Sequence, residues 1–209
     1  MGSLKRYYAR GRHPKGFWGR SVLKAMNGSK HSALPEWVFS EVKLDKFSRA
    51  LDVGCGGGAN VARLLKLCPD CHVTGMDFSK LALEIATDFN YPAIVDGHCL
   101  VVGGNAIQMP LAREVFDLYT AFETVYYWAS IEGGVAEAFR VLKPGGRIII
   151  ANEHDGLVPE DDALARAVGG MRIYSPDEIS QSMEEAGFTD IESIHDEQRH
   201  FLCVTARKP

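Results

Sequence analysis

Ala50-Leu51-Asp52-Val53-Gly54-Cys55-Gly56-Gly57-Gly58-Ala59-Asn60 reads as an apolar strand that stops on glycines and opens into a helix over residues 61–67. Glycine has no Cβ, so the chain can turn tightly and a ligand can lie against bare backbone. The first N–H groups of the following helix have no partner within it and point into the same space. Strand, glycine turn and helix in this order form a cradle for a nucleotide-bearing ligand. The surrounding sequence decides which one.

Working outward, apolar runs alternate with amphipathic segments. Strands are predicted at 73–77, 100–103, 115–121 and 147–152. Helices are predicted at 34–42, at 79–88 with Ser79 as N-cap, at 131–142, and from Ser175 to Ala186 with Gly187 as terminator. Ile148-Ile149-Ile150 is apolar without alternation, as a strand buried on both faces would be. Residues 191–195 and 201–206 suit a closing antiparallel pair. Strands alternating with helices imply an α/β fold with an open, mostly parallel sheet and helices on both faces. Ligands then bind beyond the carboxyl ends of the strands. Residues 154–174 are the hardest to read, and Gly169-Gly170 suggests a loop.

With 209 residues and an ordinary globular composition, one substantial core is expected. No apolar run approaches the roughly 20 residues that span a bilayer. Cys68-Pro-Asp-Cys71 lacks a second pair or a histidine cluster, and the scattered histidines show no ligand spacing, so no metal is expected. An odd count of five cysteines reads as reduced thiols in the cytoplasm. The net charge of −4 conceals an asymmetry: residues 1–35 carry eight Lys/Arg and no acid. A transit peptide is discounted, because Gly11, Pro14, Gly16 and Gly19 interrupt an amphipathic helix. A nucleic-acid arm and an active-site flap remain, and the flap is favoured. Residues 1–45 are therefore assigned as a basic arm with helices, and 46–209 as the ligand-binding domain.

Gly54-x-Gly56-x-x-Ala59 also satisfies a dinucleotide pattern, with Asp77 spaced to take ribose hydroxyls. Asp52, two residues before the first glycine, argues against a pyrophosphate, which it would repel. It suits a ligand carrying an ammonium group.

Five segments together resemble the class I S-adenosylmethionine-dependent methyltransferases, and within them the small-molecule branch similar to ubiquinone-biosynthesis-like methyltransferases. These are Leu51–Gly58, Met76-Asp77-Phe78-Ser79, Asn105-Ala106-x-x-Met109-Pro110, Phe116-Asp117-Leu118-Tyr119 and Leu142-Lys143-Pro144-Gly145-Gly146. The resemblance implies a Rossmann-like seven-strand sheet whose last strand is antiparallel, and S-adenosyl-L-methionine as cofactor. It implies that Gly54, Cys55 and Gly56 meet the methionine part and that Asp52 attracts its ammonium group. Asp77 would take both ribose hydroxyls, Phe78 would stack on adenine, and Asn105 and Ala106 would meet the adenine edge. Asn105 stands where the family usually has Asp. Phe122 is a second wall.

Past the fourth strand, Glu123-Thr124-Val125-Tyr126-Tyr127-Trp128 is unusually aromatic and sits where family members meet substrate. Glu123, Glu153 and His154 are the candidate catalytic groups. Trp18, Trp37, Tyr126 and Tyr127 are the candidate substrate walls. The leading expectation is methyl transfer to a small, aromatic or anionic metabolite by in-line displacement. The alternatives are an RNA or protein methyltransferase gripping its polymer with the basic arm, a non-catalytic cofactor-binding module and, last, an NAD-dependent dehydrogenase. The acidity of the rest of the chain disfavours nucleic acid. The acceptor atom and the oligomeric state are not encoded in any motif.

Overall fold

The computed structural model, which describes residues 16–28 and 32–209, places the glycine-rich stretch at the middle of a seven-stranded sheet. In chain order the elements are α1 (Gly16–Met26), α2 (Ala33–Glu41), β1 (Arg49–Val53), α3 (Ala59–Leu67), β2 (His72–Asp77), α4 (Lys80–Phe89), α5 (Tyr91–Val95) and β3 (Cys99–Gly103). They continue with β4 (Phe116–Phe122), a 3-10 turn (Val125–Tyr127), α6 (Ile131–Val141), β5 (Leu142–Asn152), α7 (Pro159–Val168), α8 (Pro176–Ala186), β6 (Thr189–Asp196) and β7 (Phe201–Arg207). The strands lie in the order β3-β2-β1-β4-β5-β7-β6. β1 pairs in parallel with both β2 and β4, whereas β7 runs antiparallel between β5 and β6. The expected mostly parallel sheet with an antiparallel last strand is the one observed.

Alternate residues of each strand feed two cores. Leu51, Val53, Ile148 and Ile150 pack with Val135 and Ala138 of α6 and Ile179 and Met183 of α8. Ala50, Ile149 and Ala151 pack on the other face with Val38 of α2 and Val61 and Leu64 of α3. Because water reaches neither face of the central strands β1, β4 and β5, a polar alternation there would bury polar groups, and these strands read as largely apolar runs. The chain leaves β1 toward β2 and β3, then returns past it to β4. That reversal opens a crevice at the carboxyl ends of β1 and β4.

The predicted caps are present. Ser79 Oγ accepts from Ala82 N at 3.4 Å. Ser175 and Glu178 form a reciprocal capping box, and Gly187 closes α8 at φ +96°.

Three helices were not predicted. α1 begins at Gly16 despite the glycine punctuation, because tertiary contacts hold it. Leu23 packs with Ala82 and Ile85 of α4, and Arg20 pairs with Glu84 at 2.8 Å. α5 is a single short turn with Pro92 in its first turn. α7 lies inside the unreadable segment; it buries only Asp161 and Leu164, too few to leave a periodic signal, and opens with Glu160, Asp161 and Asp162 on the positive end of its dipole. Residues 143–146, left between the predicted helix and strand, belong to β5, which starts directly after α6.

All five cysteines are free. Burial pushes the Cys71 thiol up to about 12, so it behaves as core filler rather than a nucleophile. Among the described residues there is no cluster of three or more His, Cys, Asp or Glu able to hold a metal, and no helix is long and apolar enough to cross a membrane.

Candidate active site

The turn after β1 is tied to the end of β2. Gly54 N and Cys55 N both donate to Met76 O, at 2.8 and 3.1 Å. Gly56 N donates to Asp77 Oδ2 at 3.0 Å, and Ser79 N to Asp77 Oδ1 at 2.8 Å. Gly54 has φ +72°, and a Cβ there would lie 2.1 Å from Thr124 Oγ1. The loop after β4 therefore rests directly on the bare backbone of the turn. Gly58 starts α3 at φ +88° with no side-chain cap, so no capping side chain screens the first N–H groups of α3.

These loops border an open cleft of about 1340 Å³. Every strand that ends there contributes: Gly54–Gly57 after β1, Asp77 and Phe78 at the end of β2, Gly104–Ala106 after β3, Phe122–Thr124 at the end of β4, and Glu153 after β5. Tyr127 and Trp128 form an aromatic side. From the opposite direction come Leu23 of α1, Asn27, and Leu34 and Pro35 of α2. Asn27 Nδ2 donates to Gly57 O at 2.7 Å, which fastens the end of α1 to the turn.

The sequence-predicted residues divide. Gly54, Cys55, Gly56, Asp77, Phe78, Asn105, Ala106, Phe122, Glu123, Tyr127 and Glu153 all line the cleft. The other five do not. Asp52 lies beneath the turn at 1% exposure. Trp37 packs into the core, its ring 5.8 Å from that of Phe201 on β7. Trp18 is not part of the cleft lining and is 66% exposed. Tyr126 is fully buried and acts from behind the wall. His154 stands back against α7, with Nδ1 2.7 Å from Asp161 Oδ1. The basic residues of the arm between 1 and 15 lie outside the described residues. Asn105 uses its side-chain oxygen locally, accepting from Ile107 N at 3.2 Å.

Leu23, Asn27, Thr124 and Asp161 are members of this assembly that sequence reasoning missed. Thr124 and Asp161 meet their partners across gaps in the chain that no local pattern encodes. Only the Asn27-Gly28 pair, a helix-stop signal, hinted that α1 ended near the site.

The acids differ in environment. Burial raises the Asp77 carboxyl, while the N–H donors of Ser79 and Gly56 hold it down in part. Burial also pushes Asp52 up to about 7. Its Oδ1 accepts from Thr120 Oγ1 at 2.8 Å, whereas Oδ2 is buried with no hydrogen-bond partner among the described residues. Glu123 is held at φ +59°, an uncommon conformation for a non-glycine residue. Its Oε1 accepts from Tyr126 Oη at 2.9 Å and from Glu153 N. Burial, reinforced by the Glu153 charge, lifts Glu123 to about 7. Burial alone would lower His154, but Asp161 and the charges of Glu123 and Glu153 raise it on balance.

Three observations test whether an S-adenosylmethionine-like molecule fits: a floor of backbone rather than side chains, a carboxylate at the tip of β2 whose two bonded oxygens keep spare lone pairs, and an orphaned anionic oxygen under the turn. The residues fit such a molecule.

Residues 51–150 match the family described as Methyltransferase domain. The chain is similar to a sterol 24-C-methyltransferase of Neurospora crassa, 27% identical over 188 residues, covering 86% of this chain and 47% of the relative. It is also similar to the 27-O-demethylrifamycin SV methyltransferase of Amycolatopsis mediterranei, 32% identical over 147 residues, covering 66% of this chain and 53% of the relative. The chain thus spans about half the length of these curated relatives. Among solved structures, human N-acetylserotonin methyltransferase in complex with S-adenosylmethionine superposes with a TM-score of 0.75 at 20% identity, covering 99% of this chain and 66% of that one, a likeness of fold.

Proposed function

We infer, from the premise that this chain belongs to the class I S-adenosylmethionine-dependent methyltransferase family, that it transfers a methyl group to a small-molecule acceptor. One observation carries the reading: Asp77, at the tip of β2, is locked to the glycine turn through Gly56 N and faces the cleft. A carboxylate fixed there accepts from two neighbouring ribose hydroxyls on the lone pairs that Gly56 and Ser79 leave.

Backbone at Gly54, Cys55 and Gly56 receives the amino-acid end, and the orphaned Asp52 oxygen attracts its ammonium group from below. Phe78, half-exposed at 54%, offers a face to adenine, with Ala106 and Asn105 at its edge and Phe122 as a further wall. The bound cofactor supplies an electrophilic methyl group on a positively charged sulfur. The chain's own work is alignment and exclusion of water. Tyr127 and Trp128 give the acceptor an apolar flank, and Glu123 is the group placed to hold its proton, fixed by Tyr126 and Glu153 N. His154 and Glu153 support Glu123. Helix α1 acts as the cover of the cofactor half, a role supported by Leu23 on the cleft wall and by Asn27 on Gly57.

Calorimetric titration with S-adenosylhomocysteine and with NAD tests the assignment. Saturable binding of the first and none of the second is expected. The reverse result overturns it.

A further inference from the structure

A second cavity opens at the end of the sheet opposite the cleft. It measures about 530 Å³ and lies between residues 44–47, which join α2 to β1, the start of β4 and the start of β5. Leu44, Phe47 and Leu118 give it an apolar wall, and Asp45, Lys46, Asp117 and Arg147 bring charge to its lining.

The two acids are already matched. Asp117 Oδ1 accepts from Lys143 Nζ at 2.6 Å, and its Oδ2 accepts from Ser48 N and Arg49 N at 2.9 Å each. Asp45 Oδ2 accepts from Arg207 Nη2, and Arg207 Nη1 donates to Gly145 O at 3.3 Å. Arg147 has no comparable match. Its side chain is only 18% exposed, and its Nε is buried with no hydrogen-bond partner among the described residues. Its one ion-pair contact among them is Asp45 Oδ2 at 3.8 Å, which is beyond hydrogen-bonding distance and already engaged by Arg207. In the sheet register Arg147 also stands directly opposite Arg207 of β7, so a like charge is its cross-strand neighbour. A guanidinium held there without a bonded anion opposes folding through lost hydration and through that repulsion.

A carboxylate supplies what is missing. Its two oxygens match the guanidinium fork, and its negative charge offsets both arginines. Behind the head group, the apolar wall gives a hydrocarbon body a surface to cover, which inorganic phosphate would leave bare. We propose that this cavity binds a small carboxylate with an apolar body, its head on Arg147 with Lys46 at the rim and its body against Leu44, Phe47 and Leu118. The site is separate from the cleft at the carboxyl ends of the strands and does not depend on the methyltransferase reading.

The test is amide-resolved NMR of the full chain at neutral pH, titrated with benzoate, benzyl alcohol, benzylamine and inorganic phosphate. Benzoate should shift the amides of residues 44–47 and 145–147 saturably. The alcohol, the amine and phosphate should each act there about tenfold more weakly or not at all, since each lacks either the negative charge or the ring. Arg147→Met should abolish the benzoate shifts. Lys46→Gln, on the exposed rim, should weaken them several-fold, and it serves as the test if the first variant folds poorly. Equal responses to the three aromatic probes, phosphate binding as well as benzoate, or benzoate shifts confined to the glycine turn at 54–58 overturn the proposal.

Discussion

Asp52→Asn should make the free protein more stable at alkaline pH while weakening its hold on the cofactor. The carboxyl is 1% exposed, with one oxygen bonded to Thr120 and the other unpartnered. Burial carries it from 3.8 to about 7, opposed by the Thr120 hydroxyl and the Arg63 charge and aided by Asp77. Because the folded state holds the proton more tightly than the unfolded chain, the associated stability is complete below about pH 4 and is lost as pH rises through about 7. A displacement of that size corresponds to about 4 kcal/mol at most. Reorientation of the hydroxyl and the cost of an unpaired amide N–H in the variant bring the expected gain to about 2 kcal/mol. An amide keeps the Thr120 hydrogen bond and has no charge to bury. Urea unfolding of both proteins between about pH 4 and pH 8 should give curves that converge at the acid end and separate at the alkaline end. Glu123 titrates in the same range in both proteins and cancels from the difference. Calorimetry at about pH 8 should show S-adenosylhomocysteine binding weakened about tenfold, since its ammonium group loses a charged partner. Parallel pH curves for the two proteins would refute the reasoning, because Asp52 would then not be ionising under strain.

Asp77→Ala should cost about 2 kcal/mol of S-adenosylhomocysteine affinity, about thirtyfold by calorimetry, since both ribose hydroxyls lose a charged acceptor and Gly56 N loses its anchor. Gly54→Ala should destabilise the protein by about 3 kcal/mol in urea unfolding, from a positive φ and a Cβ driven into Thr124, and adding Thr124→Gly should restore the steric part but not the dihedral part. Leu23→Asp should release α1 from Ala82 and Ile85, speeding proteolysis near residue 28 and weakening S-adenosylhomocysteine binding, with little change in global unfolding.

Much of the part of the cleft proposed for the cofactor was legible because its lining elements are local. Asp52, the glycine turn and the first turn of α3 lie within a dozen residues, and Asp77-Phe78 and Asn105-Ala106 each sit at the end of a readable strand. The acceptor half was only half legible. The acids and aromatic rings after β4 announced themselves by composition, yet which of them face the cleft depends on a turn that points Tyr127 and Trp128 outward and Tyr126 back into the core.

The resemblance of five segments to a known family carried the chemical type of the ligand and the antiparallel last strand, while the linear order of glycines and apolar runs was enough to determine a doubly wound sheet and its glycine-turn cradle. These follow from steric freedom at glycine and from the two-sided burial of central strands, which act over a few residues at a time. Only the folded chain decided that Trp37 is core, that Asp161 stands behind His154, that α1 lies across the turn and that the far end of the cleft is lined by acids. Apart from the Asp161–His154 pair, seven residues apart, each of those facts is a meeting of segments tens of residues apart, set by which faces are left to be buried once the sheet has formed.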